Sequence, residues 1–181
     1  MSSSLDFSSM FDALPFKKLY EERILILSEA VHSKSAKQII ESLLSLDASD
    51  PTKDIRLFLN SPGGEVSSGF AIYDTMRFIR PKVKVIVTGL AASIATIILL
   101  GAEKEFRYCL PNSRLLIHQP LIAGNIQGQA SDIEIHAKEI IKTREKIGEI
   151  YHKETKQPLD RIKKEIERDH WMTAPEALEY G

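Results

Sequence analysis

The sequence predicts an α/β fold made of repeated β-α-β units, with one long helix projecting from it. Short runs rich in Ile, Leu and Val alternate with segments of helical periodicity, Gly and Pro punctuate the joints, and from Asp132 onward the pattern becomes one long amphipathic stretch. Arg23 to Leu27 and Ile55 to Leu59 read as strands that run into turns. Between them, Ser33 to Leu46 places Ala36, Ile39, Ile40, Leu43 and Leu44 at helical spacing, which completes a first β-α-β unit. A second unit begins after Gly64. Phe70, Tyr73, Met76 and Phe78 fall in a helix that Pro81 ends, Val83 to Val87 forms the next strand, and Ser93 opens the next helix. Leu115 to His118 makes a short strand before Pro120. Alternation of this kind predicts a mostly parallel sheet with helices against it, and such sheets place their sites at strand ends. In the stretch from Asp132, Ile133, Ala137, Ile140, Ile141, Ile147 and Tyr151 share one stripe, while Glu134, Lys138, Lys142 and Glu145 lie elsewhere.

Bulk properties narrow the class of protein. A chain of 181 residues that is 43% hydrophobic is long enough for one domain with a sizeable core. The 24 basic residues are balanced by 25 acidic ones, so nothing predicts a nucleic-acid surface. Cys109 is the single cysteine and has no internal disulfide partner, which fits a reducing cytoplasm. Met1 to Phe7 lacks the basic start and apolar core of a secretory signal, and the most apolar stretches, Val83 to Val87 and Ile94 to Leu100, are too short to span a membrane. His136 and His152 are too far apart on the long helix to form a metal pair, and no Cys or His cluster has zinc spacing, so neither metal nor cofactor is expected.

The chemistry centres on Ser93, in Thr88-Gly89-Leu90-Ala91-Ala92-Ser93-Ile94-Ala95, a hydroxyl among small neighbours between a strand and a helix. His118 and Asp169 lie downstream, so the chain carries the residue types of a Ser-His-Asp triad in an order that matches none of the three orders of chymotrypsin, subtilisin and the α/β-hydrolases. A serine hydroxyl is a poor nucleophile until an imidazole removes its proton, and the imidazole needs a carboxylate to fix its tautomer. Upstream, Asn60-Ser61-Pro62-Gly63-Gly64 offers a Gly-Gly turn with bare backbone N–H groups suited to an oxyanion. Taken singly, each of these residues has a simpler use. Ser93 is placed as a helix cap, His118 as a satisfied histidine at a strand end, Asp169 as a partner of Arg168 or His170, and Gly63-Gly64 as a plain turn after Pro62.

Together and in order, these segments resemble the caseinolytic proteases of the ClpP family, self-compartmentalised serine peptidases of the ClpP/crotonase fold. The resemblance runs from Glu22 to Gly181 and includes Asp50-Pro51-Thr52-Lys53-Asp54-Ile55, Ile72-Tyr73-Asp74-Thr75-Met76, Gln127-Gly128-Gln129-Ala130-Ser131-Asp132-Ile133 and Ala174-Pro175-Glu176-Ala177-Leu178-Glu179-Tyr180-Gly181. It implies an N-terminal segment over 1–21 in the axial-loop region and a peptidase domain over 22–181. Within that domain, a handle helix over about 132–153 interlocks two heptameric rings as a tetradecamer, with a strand over Leu121 to Gln129 beside it. It implies Ser93, His118 and Asp169 as nucleophile, general base and orienter, with the backbone N–H groups of Gly64 and Ile94 as oxyanion donors.

The chain has no Gly-x-x-x-x-Gly-Lys-Ser/Thr run, so it is not expected to hydrolyse ATP through a P-loop, and the chamber-enclosed peptidase that the resemblance implies needs something else to unfold and feed its substrates. The resemblance implies a hexameric AAA+ unfoldase of the ClpX, ClpA or ClpC type, docking at positions that include Leu44, Arg56, Phe58, Phe78 and Tyr108. Ile94 and Ala95 stand where the family usually has methionine and glycine, which predicts a stiff side chain at the specificity pocket. The segment between Pro120 and Gln127 is two residues longer than usual, the N-terminus lacks an Arg-Gly-Glu pattern, and family members continue past Gly181 into a short strand and tail. These departures motivate an alternative, a weakly active or inactive scaffold subunit of a hetero-oligomeric ring. A crotonase-type acyl-CoA enzyme and a membrane signal-peptide peptidase are weaker readings, because the first does not need His118 and the second needs a Ser-Lys pair and an anchor.

Overall fold

A computed structural model describes residues 15–121 and 128–181. The strands are β1 (Ile24–Leu27), β2 (Ile55–Ser61), β3 (Val83–Ala92), β4 (Arg107–Cys109), β5 (Arg114–Ile117) and β6 (His170–Thr173). The helices labelled here are α1 (Ser33–Ser49), α2 (Val66–Phe78), α3 (Ile94–Leu100), α4 (Ala130–Thr155), α5 (Leu159–Glu165) and α6 (Ala174–Tyr180). The sheet runs in the order β1-β2-β3-β5-β6, with β4 also paired to β3. Neighbours are parallel from β1 through β5, and β6 closes the edge antiparallel to β5.

Strand alternation divides the sheet into two unlike faces. Leu25, Leu27, Ile55, Leu57, Leu59, Val83, Val85 and Val87 are buried, as are Ala36, Ile39, Leu43 and Leu46 of α1, Ile72, Tyr73 and Met76 of α2 and every residue of α3. Each large aliphatic side chain withdrawn in this way contributes about 1.5–3 kcal/mol. The alternate residues of the strands point to the opposite face, where Ile26 and Tyr108 are exposed and Phe58 and Ile86 half-buried. Parallel sheets are normally covered on both faces, whereas among the described residues these side chains stay exposed or half-buried.

The structure corrects several boundaries. The third strand continues from the expected Val87 to Ala92, because β3 is irregular rather than finished there. Its register against β2 shifts between Leu59↔Val87 and Ser61↔Ala91, and Gly89 sits in the irregularity at φ 122°. Asn60 stabilises that feature by accepting from Leu90 N–H at 3.1 Å, and Ser113 Oγ accepts from Gly89 N–H at 3.2 Å. Such a bulge re-aims the strand that follows it. The long helix begins and ends slightly outside the expected span. From Ser131 to Glu139 every residue of it is exposed, whereas Ile147 and Tyr151 are buried, so its last turns pack and the rest projects. The strand expected over Leu121 to Gln129 and the longer segment near 122–126 fall largely outside the described residues, as does most of the 1–21 segment, of which 15–21 are helical.

Candidate active site

Three strand ends meet at one edge of the sheet, and the register dictates which residues arrive there. β3 and β5 run parallel with Ala92 opposite Leu116, and Ser93 N–H continues the ladder by donating to Leu116 O at 2.8 Å. β5 and β6 run antiparallel with Ile117 opposite His170, so one further step sets His118 against Asp169. His118 Nδ1 lies 3.3 Å from Asp169 Oδ1. Asp169 is therefore directed at His118, and the simpler pairings with Arg168 or His170 are not what the structure contains. Just beyond, Gln119 N–H donates to Ile166 O at 2.5 Å and Gln119 Nε2 to Glu167 O at 2.9 Å, which fixes the approach of the loop that carries Asp169. The His118 side chain is 17% exposed and that of Asp169 63%, so this pair contributes little to stability.

Ser93 occupies the N-cap position of α3 without behaving as a cap. Its side chain makes no capping hydrogen bond, and its backbone lies at φ 57°, ψ −128°, whereas capping serines are extended. A non-glycine residue in this region is strained and stays there only when its surroundings hold it. The side chain is half-buried. The next residue, Ile94, is the first of the helix, so its N–H has no intrahelical acceptor. Since α3 has 7 residues, this single N–H matters more than a macrodipole.

The Gly-Gly turn lies against this serine. Gly63 and Gly64 have φ of 89° and 148°. A Cβ on Gly63 would sit 2.6 Å from Ala92 O, 2.7 Å from Ser93 Cβ and 3.3 Å from Ile94 N, so only glycine allows the approach. Val31 clamps the turn, its N–H donating to Gly63 O and its O accepting from Glu65 N–H, both at 2.8 Å. In such a parallel bridge the N–H of the middle residue, Gly64, is directed away from Val31.

Ile94 differs from expectation. Its side chain is 2% exposed and lies against α2, where a Cβ on Gly69 would fall 2.1 Å from Ile94 Cγ1. It is a core residue seated on a glycine, so its stiffness bears on helix packing and contributes almost no open pocket surface.

The docking candidates separate into groups. Phe58 is opposite Ile26 on one side and Ile86 on the other, and Ile86 is opposite Tyr108, so Ile26, Phe58, Ile86 and Tyr108 form one cross-strand row on the bare face. Arg56 is one pair along, between Ile24 and Lys84. Leu44 and Phe78 are exposed, Phe78 at 80%, but belong to α1 and α2 in the helix layer, so within one chain they do not join the row. The remaining histidines have other surroundings: His32 caps α1 by accepting from Ser35 N–H, His136 is exposed on α4, His152 Nδ1 contacts Gln157 O, and the His170 ring lies 6.1 Å from that of Tyr180.

Sequence reasoning missed β4, β6 and a set of buried polar residues beside α3. Thr96 is 3% exposed and Tyr151 3%, and their hydroxyls lie 2.5 Å apart. The available signal was a lone hydroxyl inside the apolar run Ile94-Ala95-Thr96-Ile97-Ile98-Leu99-Leu100. Arg107 and Glu154 are likewise buried together, with Tyr73 donating to Glu154 Oε1 at 3.3 Å. Burial pushes the Tyr151 and Tyr73 phenols up, so both stay protonated donors at neutral pH. Against known proteins, a model of the Clp protease family matches residues 10–181.

Proposed function

Because the chain belongs to the Clp protease family, we propose that it is a serine endopeptidase subunit of an ATP-dependent, self-compartmentalised protease in which Ser93, His118 and Asp169 form the triad. The observation that carries this reading is the His118 Nδ1 contact to Asp169 at the strand edge from which the strained, uncapped Ser93 also emerges. In the reaction, His118 Nε2 takes the Ser93 proton as Oγ attacks the scissile carbonyl, and the imidazolium is steadied by Asp169. The oxyanion so formed accepts hydrogen bonds from Gly64 N–H and Ile94 N–H. Collapse of the tetrahedral species breaks the C–N bond, the amine leaves with the proton from His118, and water then hydrolyses the Ser93 ester by the same route in reverse.

Family membership goes with oligomeric rings and an AAA+ partner. The exposed part of α4, with Ile133, Ile135 and Ile141 at the surface, suits a contact between rings, and the Ile26–Phe58–Ile86–Tyr108 row suits an apolar anchor of an unfoldase. In this reading residues 22–181 are the peptidase unit, it is cytoplasmic, and its substrates are unfolded polypeptides. Among the described residues, no helix is long and apolar enough to cross a membrane.

The test is fluorophosphonate labelling with mapping of the modified residue, alongside hydrolysis of a short fluorogenic peptide. Labelling at Ser93, and loss of both signals in Ser93→Ala with assembly intact, is the expected result. The loss in turnover should approach about a million-fold, as for removal of a triad member in a comparable serine protease. Undiminished turnover in Ser93→Ala would sink the triad. Intact rings in which Ser93 is never labelled would favour the scaffold subunit.

A further inference from the structure

A chain of hydroxyls links the base of the projecting helix to the backbone of Ser93. Thr96 Oγ1 donates to Ser93 O at 2.6 Å, and Thr96 N–H donates to the same oxygen at 3.0 Å. Tyr151 of α4 places its hydroxyl 2.5 Å from Thr96 Oγ1. A threonine hydroxyl has one hydrogen, and here it is spent on Ser93 O. The Tyr151 O–H is therefore the donor to Thr96 Oγ1, and the chain runs in one direction, from Tyr151 through Thr96 to the Ser93 carbonyl. Both side chains are 3% exposed, so water does not compete for these bonds.

The carbonyl held in this way belongs to the peptide between Ser93 and Ile94. That unit is planar and trans, so its C=O and N–H point in opposite directions and turn together. Fixing Ser93 O fixes the direction of Ile94 N–H. The Ser93 side chain supplies no such restraint, since it makes no cap bond, and the backbone there is strained at φ 57°. Hydrogen bonds at the carbonyl also polarise the amide and strengthen its N–H as a donor.

We propose that Thr96 and Tyr151 are positioning residues that orient the Ser93–Ile94 peptide, and through it the Ile94 N–H, for stabilising the oxyanion. This rests on the reading of Ser93 as the nucleophile. The link is a property of these side chains: Thr96→Val or Tyr151→Phe keeps the packing and removes the restraint.

The experiment compares wild type with Thr96→Val, Thr96→Ser and Tyr151→Phe, measuring the fluorophosphonate labelling rate at Ser93, kcat and KM on a short peptide, and the thermal midpoint. Loss of an oxyanion donor costs about 100- to 1000-fold in kcat, and a misdirected one should cost less, so Thr96→Val should fall by about tenfold or more with KM nearly unchanged. Thr96→Ser should restore most of the rate, and Tyr151→Phe, which removes one oxygen and keeps the fold, should show a smaller loss in kcat alone. Wild-type rates in both Thr96→Val and Tyr151→Phe would overturn the relay while leaving Ser93 as the nucleophile. A Thr96→Ser variant as slow as Thr96→Val would also overturn it, by tracing the effect to the methyl group. No labelling of wild-type Ser93 would overturn the nucleophile assignment, and the relay with it.

Discussion

Arg107 and Glu154 form a buried ion pair that joins β4 to the last turn of α4. Arg107 Nη2 donates to Glu154 Oε2 at 2.7 Å, with both side chains 8% exposed. Arg107 also donates to Glu154 O at 3.0 Å and Ala102 O at 2.9 Å, and the other carboxylate oxygen accepts from Tyr73 of α2. Burial pulls the Arg107 guanidinium below its ordinary value, and Glu154 works against that shift. Two desolvated charges are tolerated here because their hydrogen-bonding capacity is met on several sides.

Glu154→Gln should destabilise the fold by about 3 kcal/mol, since it leaves the guanidinium buried without a counter-charge. Replacing both residues by apolar ones of similar volume should cost much less. Denaturant midpoints of the single and paired variants check this, and equal losses for both would remove the ion pair as the cause.

Gly69→Ala should destabilise by about 1–3 kcal/mol, because the new methyl group would lie 2.1 Å from Ile94 Cγ1. Adding Ile94→Val or Ile94→Ala should recover part of that loss. A double-mutant cycle on chemical unfolding measures the coupling, and strict additivity would mean that the two positions do not share space.

Asp169→Asn should lower kcat on a short peptide by roughly two to four orders of magnitude while leaving the thermal midpoint within about 1 °C. The carboxylate is largely exposed and contributes little to folding, yet in the proposed triad it is the group that orients His118, whose Nδ1 lies 3.3 Å away. Steady-state kinetics beside calorimetry checks the split. A large fall in stability would show instead that the pair is a structural clamp.

Phe58→Ala should abolish degradation of a folded substrate by the chain with an AAA+ unfoldase and ATP, while Ser93 labelling continues unchanged. An aromatic anchor at an interface is worth more than about 1 kcal/mol, and Phe58 stands in the middle of the cross-strand row, between Ile26 and Ile86. Degradation rate and labelling are measured on the same preparation, and unchanged degradation would remove this face as the docking surface.

The alternating runs and helical periods were legible because they are local. Leu25, Leu57 and Val85 must be buried by neighbours of matching periodicity, and a period of about two or 3.6 residues shows in a short window. The candidate triad was legible through residue types and the order of its motifs, since a hydroxyl among small residues and a Gly-Gly turn are properties of adjacent positions. Whether Asp169 faces His118 was not, for the chain offers Arg168 and His170 as nearer partners. The answer lies in the antiparallel register of β5 and β6, a pairing between segments more than 50 residues apart. In the same way, composition marks Ile94 as stiff and apolar, but only its approach to Gly69 assigns it to the core. Thr96 and Tyr151 look like an ordinary helix residue and an ordinary stripe residue, because a hydrogen bond between residues 55 positions apart leaves no local pattern. Short-range periodicity and turn chemistry are written along the chain, whereas register, burial of polar groups and the direction of a peptide plane depend on contacts that exist only once the elements have packed.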